Sequence, residues 1–377
     1  MFAKLRPFAL PLILAVLAVF IYNKKIRHEM ADFAVYRQAA ARSLHGEPLY
    51  RPEDGHYQFK YLPAYAMAMA PFALMNVETA KMAWFALSIG FMAAFLRWSV
   101  AALPARRLSE RTLMWLIIVL MAKFLAHELT LGQTNLLLGV LLVGSLLAIQ
   151  IDKPIIAGVL IGLAVFVKPY AVVVLPWLLV TQGVLATAVA GGVVVTGLLL
   201  PVALYGWAGN LAQLASWYHT VTDSTAPNLL VSDNISLAAM WAKWIGVGPA
   251  ATALAAASGA AVLALVVVAW RGRQRIAEPD YLEFALLMLL VPLLSPQGWD
   301  YVLLLSAPAV LCVVDRAREL PAVEKWSLTA AVVIMCLSIF DIMGRTLYGR
   351  FMALSIVSVC ALVIAVGLVG LRRRNLV

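Results

Sequence analysis

Apolar runs follow one another along the whole chain, separated by short polar turns. A helix needs about 20 apolar residues to cross a bilayer, and several runs reach that length. The pattern predicts spans at about Pro7–Tyr22, Glu78–Trp98, Thr112–Ala126, Asn135–Gln150, Ile155–Val167 and Tyr170–Thr181. It continues with Leu185–Tyr205, Pro249–Trp270, Tyr281–Leu294, Tyr301–Val314, Trp326–Met343 and Phe351–Leu371. The piece Leu62–Met75, broken by Pro63 and Pro71, is too short to span and reads as interfacial or re-entrant. A short amphipathic piece lies at Leu237–Trp244. Two polar stretches stand out: a first loop at about 23–61 and a second at about 206–236.

Composition agrees with the pattern. Of 377 residues, 63% are hydrophobic and 13% charged, and the mean hydropathy is +0.91. A soluble domain is nearer half apolar and a quarter charged. The expectation is an all-α, polytopic helical membrane protein of about twelve transmembrane helices, forming one membrane domain over 1–377. Met1–Tyr22 has the basic start and apolar run of a signal peptide but no small-x-small site before Asn23, so it reads as an uncleaved first helix. Cys312, Cys336 and Cys360 fall in or beside apolar runs, which argues against a disulfide framework.

The net charge of +10 does not read as nucleic-acid binding, because its distribution over the turns carries the information. With the N-terminus cytoplasmic, sixteen of the 29 Lys and Arg fall on cytoplasmic turns and ten outside, seven of those ten in the first loop. Without that loop the asymmetry is a clear positive-inside pattern, and all five His lie on the outer side. The predicted location is the cytoplasmic membrane, with the polar chemistry on its outer face.

The first loop is therefore the candidate functional segment. Asp32 precedes a helical run with Phe33, Tyr36, Ala40 and Leu44 on one face and Arg37, Gln38, Arg42 and His45 opposite. That pattern predicts a basic amphipathic helix in the interface plane, ended by Gly46 and Pro48. Asp32 then reads as an N-cap or as a general base at the membrane surface, two roles that are compatible. Tyr36 and Tyr50 read as interface aromatics, and Arg37 and Arg42 as contacts to lipid headgroups.

The pattern Asp32-Phe33-x-x-Tyr36-x-x-Ala39-Ala40-x-x-x-Leu44-x-Gly46-x-x-x-Tyr50, then Phe59-x-Tyr61-x-Pro63 and Pro71, resembles the start of glycosyltransferase family 87. Gly132-Gln133-x-Asn135, Ala157-Gly158 to Lys168-Pro169, and Ser295-Pro296-x-x-Trp299-Asp300-Tyr301 extend the similarity to roughly residues 30–305. Tyr61-Leu62-Pro63 departs from the family's Tyr-Pro-Pro.

The resemblance implies a GT-C-like bundle with amphipathic juxtamembrane helices in the first outer loop and a catalytic Asp, here Asp32. It also implies inverting transfer of a hexose, mannose in that family, from a polyprenyl-phosphate sugar to a lipid-linked or glycan acceptor. Candidate groups for phosphate are Arg37, Arg42, His127, Lys168, His219, Arg345 and Arg350. Candidates for sugar are Gln133, Asn135, Trp299 and Asp300, with Tyr36 and Tyr61 as further substrate-binding residues. The partners expected are the donor, the acceptor and membrane lipids.

No cofactor is expected. His219, Asp223 and Asp233 share the second loop and could bind a divalent ion, but their spacing is not diagnostic. A phosphate donor without pyrophosphate needs less charge neutralisation, so metal independence is expected. A transporter or lipid flippase is the competing reading. It accounts for the helices but not for polar chemistry gathered on one face, since midplane transport calls for charges within the spans. A GT-C relative moving arabinose or a hexosamine is a third.

Overall fold

The computed structural model describes residues 16–374. The start of the first apolar run, with Lys4 and Arg6, lies outside the described residues. Within them every regular element is helical, apart from one isolated bridge between Asn234 and Trp299.

The helices are α1 (16–24), α2 (Ala31–Leu44), α3 (Pro63–Ala68), α4 (Ala70–Ala73), α5 (Val77–Ala102), α6 (Glu110–Leu131), α7 (Asn135–Gln150), α8 (Pro154–Val167) and α9 (Leu175–Leu199). They continue with α10 (Val202–Asp223), α11 (Thr225–Asn228), α12 (Leu237–Ile245), α13 (Pro249–Trp270), α14 (Asp280–Leu294), α15 (Ala307–Arg316), α16 (Ala322–Leu337), α17 (Phe340–Ala353) and α18 (Ile356–Arg373). Tight 3-10 turns occupy Pro52–Tyr57, Pro169–Val174 and Asp300–Ser306.

Five helical segments are long and apolar enough to cross a membrane: Val77–Ala102, Glu110–Leu131, Pro169–Leu199, Pro249–Arg275 and Ile356–Arg373. The pair α16 and α17, bent by 105°, makes a sixth if taken as one span. α7 and α8 are apolar but shorter. The protein is a helical membrane protein.

Hydrogen bonds define two ends of the bundle. At one end α2 meets the α6–α7 turn, where the Met30 N–H donates to the Thr130 carbonyl (2.8 Å). At the other end Gln150 Nε2, closing α7, donates to the Ala102 carbonyl at the end of α5 (2.8 Å). There too Arg107 and Leu108 donate backbone N–H groups to the Asp315 carboxylate. Buried Glu283 joins three more elements, accepting from Arg372 Nη2 (2.8 Å), Trp177 Nε1 (3.0 Å) and Arg273. Polar groups inside an apolar bundle are held in this way, paired with other side chains or with backbone groups.

α9 is two segments. Gly183 takes φ 75° and ψ −167°, a conformation other residues reach only with strain. Gln182 Nε2 donates to the Ile149 carbonyl, so Pro169–Gln182 runs away from the α2 end, and the chain reverses there. The break falls between the runs expected at Tyr170–Thr181 and Leu185–Tyr205. Residues 184–199 then return alongside α8, and small residues permit the approach. A Cβ on Gly162 would lie 2.7 Å from Val193 Cβ and 2.9 Å from the Ala190 carbonyl oxygen. Close backbone packing through small residues is how membrane helices gain contact without a hydrophobic driving force.

Several sequence expectations are corrected. The second polar stretch is mostly helix: α10 continues to Asp223 beyond a break at Gly206. Two of its residues bond the first loop, Gln213 Oε1 accepting the Leu49 N–H (3.2 Å) and Trp217 Nε1 donating to the Lys60 carbonyl (3.1 Å), while His219, Thr222 and Asp223 are exposed. α6 extends past the expected end at Ala126 to Leu131, because Glu128 is buried and bonded rather than solvated. The run expected at Trp326–Met343 ends at Leu337 and bends.

α2 does not present one apolar face inward and all its cations outward. Arg42 is buried and Leu44 is 41% exposed, because the helix packs among α3, α4 and α6. A Gly162→Ala variant is expected to lower the melting temperature of the detergent-solubilised protein, overpacking costing about 1–3 kcal/mol. Gly191→Ala, with open space at its Cβ, is expected to leave it unchanged; differential scanning fluorimetry reads both.

Candidate active site

The site is built on the turn between α6 and α7. Gly132 ends α6 at φ 66°, and a Cβ there would lie 2.8 Å from Phe33 Cβ. Glycine therefore serves both the left-handed turn and the approach of α2. One helical turn earlier, Glu128 accepts from Asn135 Nδ2 (2.8 Å) and from the Leu136 N–H (2.9 Å). It caps α7 from α6 and fixes the turn that carries Gln133.

The Gln133 amide is almost completely buried and joins four elements. Its Nε2 donates to Asp32 Oδ2 (2.6 Å) and to Tyr301 Oη (3.3 Å). Its Oε1 accepts from Tyr36 Oη (3.1 Å) and Lys168 Nζ (3.3 Å), with Tyr61 Oη at 3.4 Å. Tyr36 and Tyr61 share a further hydrogen bond of 2.7 Å.

Asp32 is not the N-cap. α2 starts behind Met30, which takes the left-handed conformation (φ 60°, ψ 42°), and no side chain caps it. Asp32 is the second helical residue and turns to Gln133 instead. The first turn of a helix still favours its negative charge.

Asp32 opens onto a cavity of about 560 Å³. Tyr36, Tyr61, Tyr170, Tyr301, Trp217 and Trp299 form much of its wall, and Lys60, Lys168, His56 and His127 supply its basic groups. Burial pushes the Asp32 carboxyl above the usual carboxylate range, against the opposing pull of Gln133 and then Lys168. Lys168, at the break between α8 and the following turn, is pushed down to about 8 by burial, against the pull of Glu128 and Asp32. Its ammonium lies 5.7 Å from the Tyr61 ring centre, 5.9 Å from that of Tyr170 and 6.0 Å from that of Tyr301. Lys60 is also lowered by burial.

Of the residues singled out in the sequence, Asp32, Tyr36, Tyr61, His127, Gln133, Lys168 and Trp299 line this cavity. Asp300 sits behind it, buried, 3.8 Å from Lys123 Nζ and 4.0 Å from His127 Nδ1. Asn135 is fully buried between Glu128 and Tyr170, its Oδ1 accepting from Tyr170 Oη (3.2 Å). Arg37 donates to the Phe72 and Met75 carbonyls (3.2 and 2.9 Å). Arg42 forms a two-point pair with Asp54 (2.5 and 2.8 Å). Arg345 is exposed on α17. None of these three arginines lines the cavity.

Sequence reasoning missed Tyr170, Tyr301, Lys60 and Trp217. The first two directly follow Lys168-Pro169 and Trp299-Asp300, and Lys60 lies inside Phe59-x-Tyr61, so the signal was adjacency to a motif. Trp217 lay in a stretch read as loop. Among the described residues, no three His, Cys, Asp or Glu side chains gather as a metal-holding group.

This geometry joins the α6–α7 turn, the Lys168-Pro169 break and Tyr61. All three fall within the span of residues 59–296 that matches the family profile of glycosyltransferase family 87. The chain belongs to glycosyltransferase family 87. No curated protein and no solved structure matches it. As a family 87 member the protein is a membrane glycosyltransferase. Asp32 and Tyr36 precede the matched span, and Trp299 and Asp300 follow it.

Arg42→Met is expected to destabilise the protein by about 2 kcal/mol, because it leaves the Asp54 carboxylate without its partner in a poorly solvated position. Arg345→Met is expected to change neither melting temperature nor sugar transfer. Thermal unfolding and a transfer assay, run side by side, check both.

Proposed function

We propose that this family 87 enzyme transfers a hexose, mannose in the first instance, from a polyprenyl-phosphate sugar to a lipid-linked or glycan acceptor. Asp32 is the general base. The observation that carries the proposal is a half-buried carboxylate, held through one oxygen, opening onto a large aromatic-walled cavity with several basic groups.

The acceptor hydroxyl attacks the anomeric carbon from the face opposite the phosphate. The new C–O bond forms as the C1–O(phosphate) bond breaks, which inverts the centre. The acceptor proton passes to Asp32, and the electron pair leaves with the polyprenyl phosphate. Lys168 faces that growing charge as a cation, and His127 lies in the same cavity as a hydrogen-bonding group. Tyr61, Trp217 and Trp299 offer ring faces to a sugar.

A phosphodiester leaving group gains one charge on departure. Side-chain cations suffice for that, so the reaction is proposed to need no metal ion.

The membrane reading is finer than the five or six long spans. A GT-C bundle of about twelve crossings is supported by the alternation of segment ends along the chain, with α7, α8 and the two halves of α9 as short crossings. Action at the outer face of the cytoplasmic membrane is supported by the Lys and Arg of the turns remote from Asp32.

Purified protein in lipid nanodiscs, incubated with a radiolabelled polyprenyl-phosphate hexose and candidate acceptors, tests the proposal. Asp32→Asn is expected to lower kcat by about 10²–10⁴-fold, and chelation with EDTA to leave transfer unchanged. Full activity in Asp32→Asn, or sugar that never leaves the donor with any acceptor, would overturn the reading.

The pH dependence of kcat/KM supplies a further test. Asp32 works as the anion, and its pKa is raised, so activity is lost on acidification at a pH above the ordinary carboxylate range. Lys168 works as the cation, so activity falls as pH rises through about 8. Lys168→Arg is expected to remove that alkaline limb, because a guanidinium stays charged.

A further inference from the structure

The Gln133 amide has the environment of an orienting group rather than of a sugar ligand. Which end of an amide carries oxygen is settled by its partners. An ammonium can only donate and an ionised carboxylate can only accept. Lys168 on one side and Asp32 on the other therefore admit one orientation, with Oε1 toward Lys168 and Nε2 toward Asp32. In that orientation the capacity is used up. Both Nε2 hydrogens are committed, to Asp32 and Tyr301, and Oε1 is already approached by Tyr36, Tyr61 and Lys168. Nothing remains for a substrate hydroxyl.

We infer that Gln133 is a positioning residue for Asp32. The amide anchors Oδ2, stabilises the ionised form and leaves Oδ1 as the oxygen turned to the acceptor proton. This rests on the proposed role of Asp32 and goes beyond it by assigning how the base is aimed. It also ties Lys168 to Asp32 through one amide, so the cation that meets the phosphate and the base that meets the acceptor keep a fixed separation. That coupling is what an inverting displacement requires, since its two partners lie on opposite sides of one carbon.

The aromatic floor supports the same assignment. Tyr36 packs edge-on to Tyr61 and Tyr65 at ring-centre distances of 5.0 and 5.6 Å, and Tyr65 Oη donates to Thr134 Oγ1 (3.0 Å), next in chain to Gln133. The hydroxyls that fix the amide are thus themselves fixed by packing.

Two variants test the inference, each followed as a pH profile of kcat/KM with the polyprenyl-phosphate hexose assay. Gln133→Met keeps shape and removes the hydrogen bond. Its kcat is expected to fall by about 10²-fold while the donor KM stays within about threefold. The acid limb is expected to move up by about one pH unit, because the ionised Asp32 loses its donor. Gln133→Glu keeps the acceptors for Tyr36, Tyr61 and Lys168 but sets a second carboxylate against Asp32, so the acid limb is expected to move further in the same direction.

Asp32 also faces Lys60, Lys168, His56, His127 and the hydroxyls of Tyr36, Tyr61 and Tyr301. All of these remain in both variants, so the shift reports the amide. A melting temperature for each variant separates misfolding from misalignment, and if Gln133→Met does not fold, the Glu variant carries the test alone. A raised donor KM with an unmoved acid limb would overturn the inference and return Gln133 to sugar binding. Unchanged transfer in Asp32→Asn, by contrast, would defeat the role of Asp32 itself.

Discussion

A buried amide between an acid and an ammonium organises this protein. In a bundle embedded in lipid, a polar group that leaves water must find its partners inside the fold. Gln133 does so with α2, the Tyr61 segment, the end of α8 and the turn before α15 at once. Those four segments are far apart in sequence, and separating any one from the turn strands a donor or an acceptor. The cost of leaving such a group unpaired, about 1–3 kcal/mol each, acts in the folded state as a constraint on geometry. The site is therefore assembled by the same hydrogen bonds that keep these segments together.

The turn that presents Gln133 is determined one layer further out. Glu128 reaches forward from α6 to cap α7, and Gly132 permits both the sharp turn and the close contact with Phe33. At the opposite end of the bundle Glu283 and Asp315 fulfil the same structural need with arginines and backbone N–H groups. The carboxylates of the bundle thus have different uses. Three of them, Glu128, Glu283 and Asp315, are fully engaged in holding helices. Asp32 is held by one oxygen and opens onto a cavity.

Much of this was legible in the chain. The apolar runs have lengths that only a membrane requires, and they located most helices to within a few residues. The motif residues Asp32, Tyr36, Tyr61, Gln133, Lys168 and Trp299, the first and last 267 positions apart in sequence, line one cavity. What the sequence could not reveal was pairing. Arg37 and Arg42 read as headgroup contacts because a cation beside a span ordinarily serves that purpose, yet one caps carbonyls of α4 and the other neutralises Asp54. α10 read as loop because it is polar, yet Gln213 and Trp217 on it reach the first loop. Asp32 read as an N-cap because its residue type and position fit, whereas the left-handed Met30 performs the chain reversal without a side-chain cap.

The direct measurement of the central claim is a structure of the protein in lipid nanodiscs with a non-hydrolysable polyprenyl-phosphonate hexose bound. The arrangement described here predicts the sugar in the aromatic-walled cavity, the phosphonate against Lys168, and Asp32 on the opposite face of the anomeric carbon with Gln133 still donating to it. A sugar lying outside that cavity, or an anomeric carbon turned away from Asp32 with the phosphonate held by other cations, would contradict it.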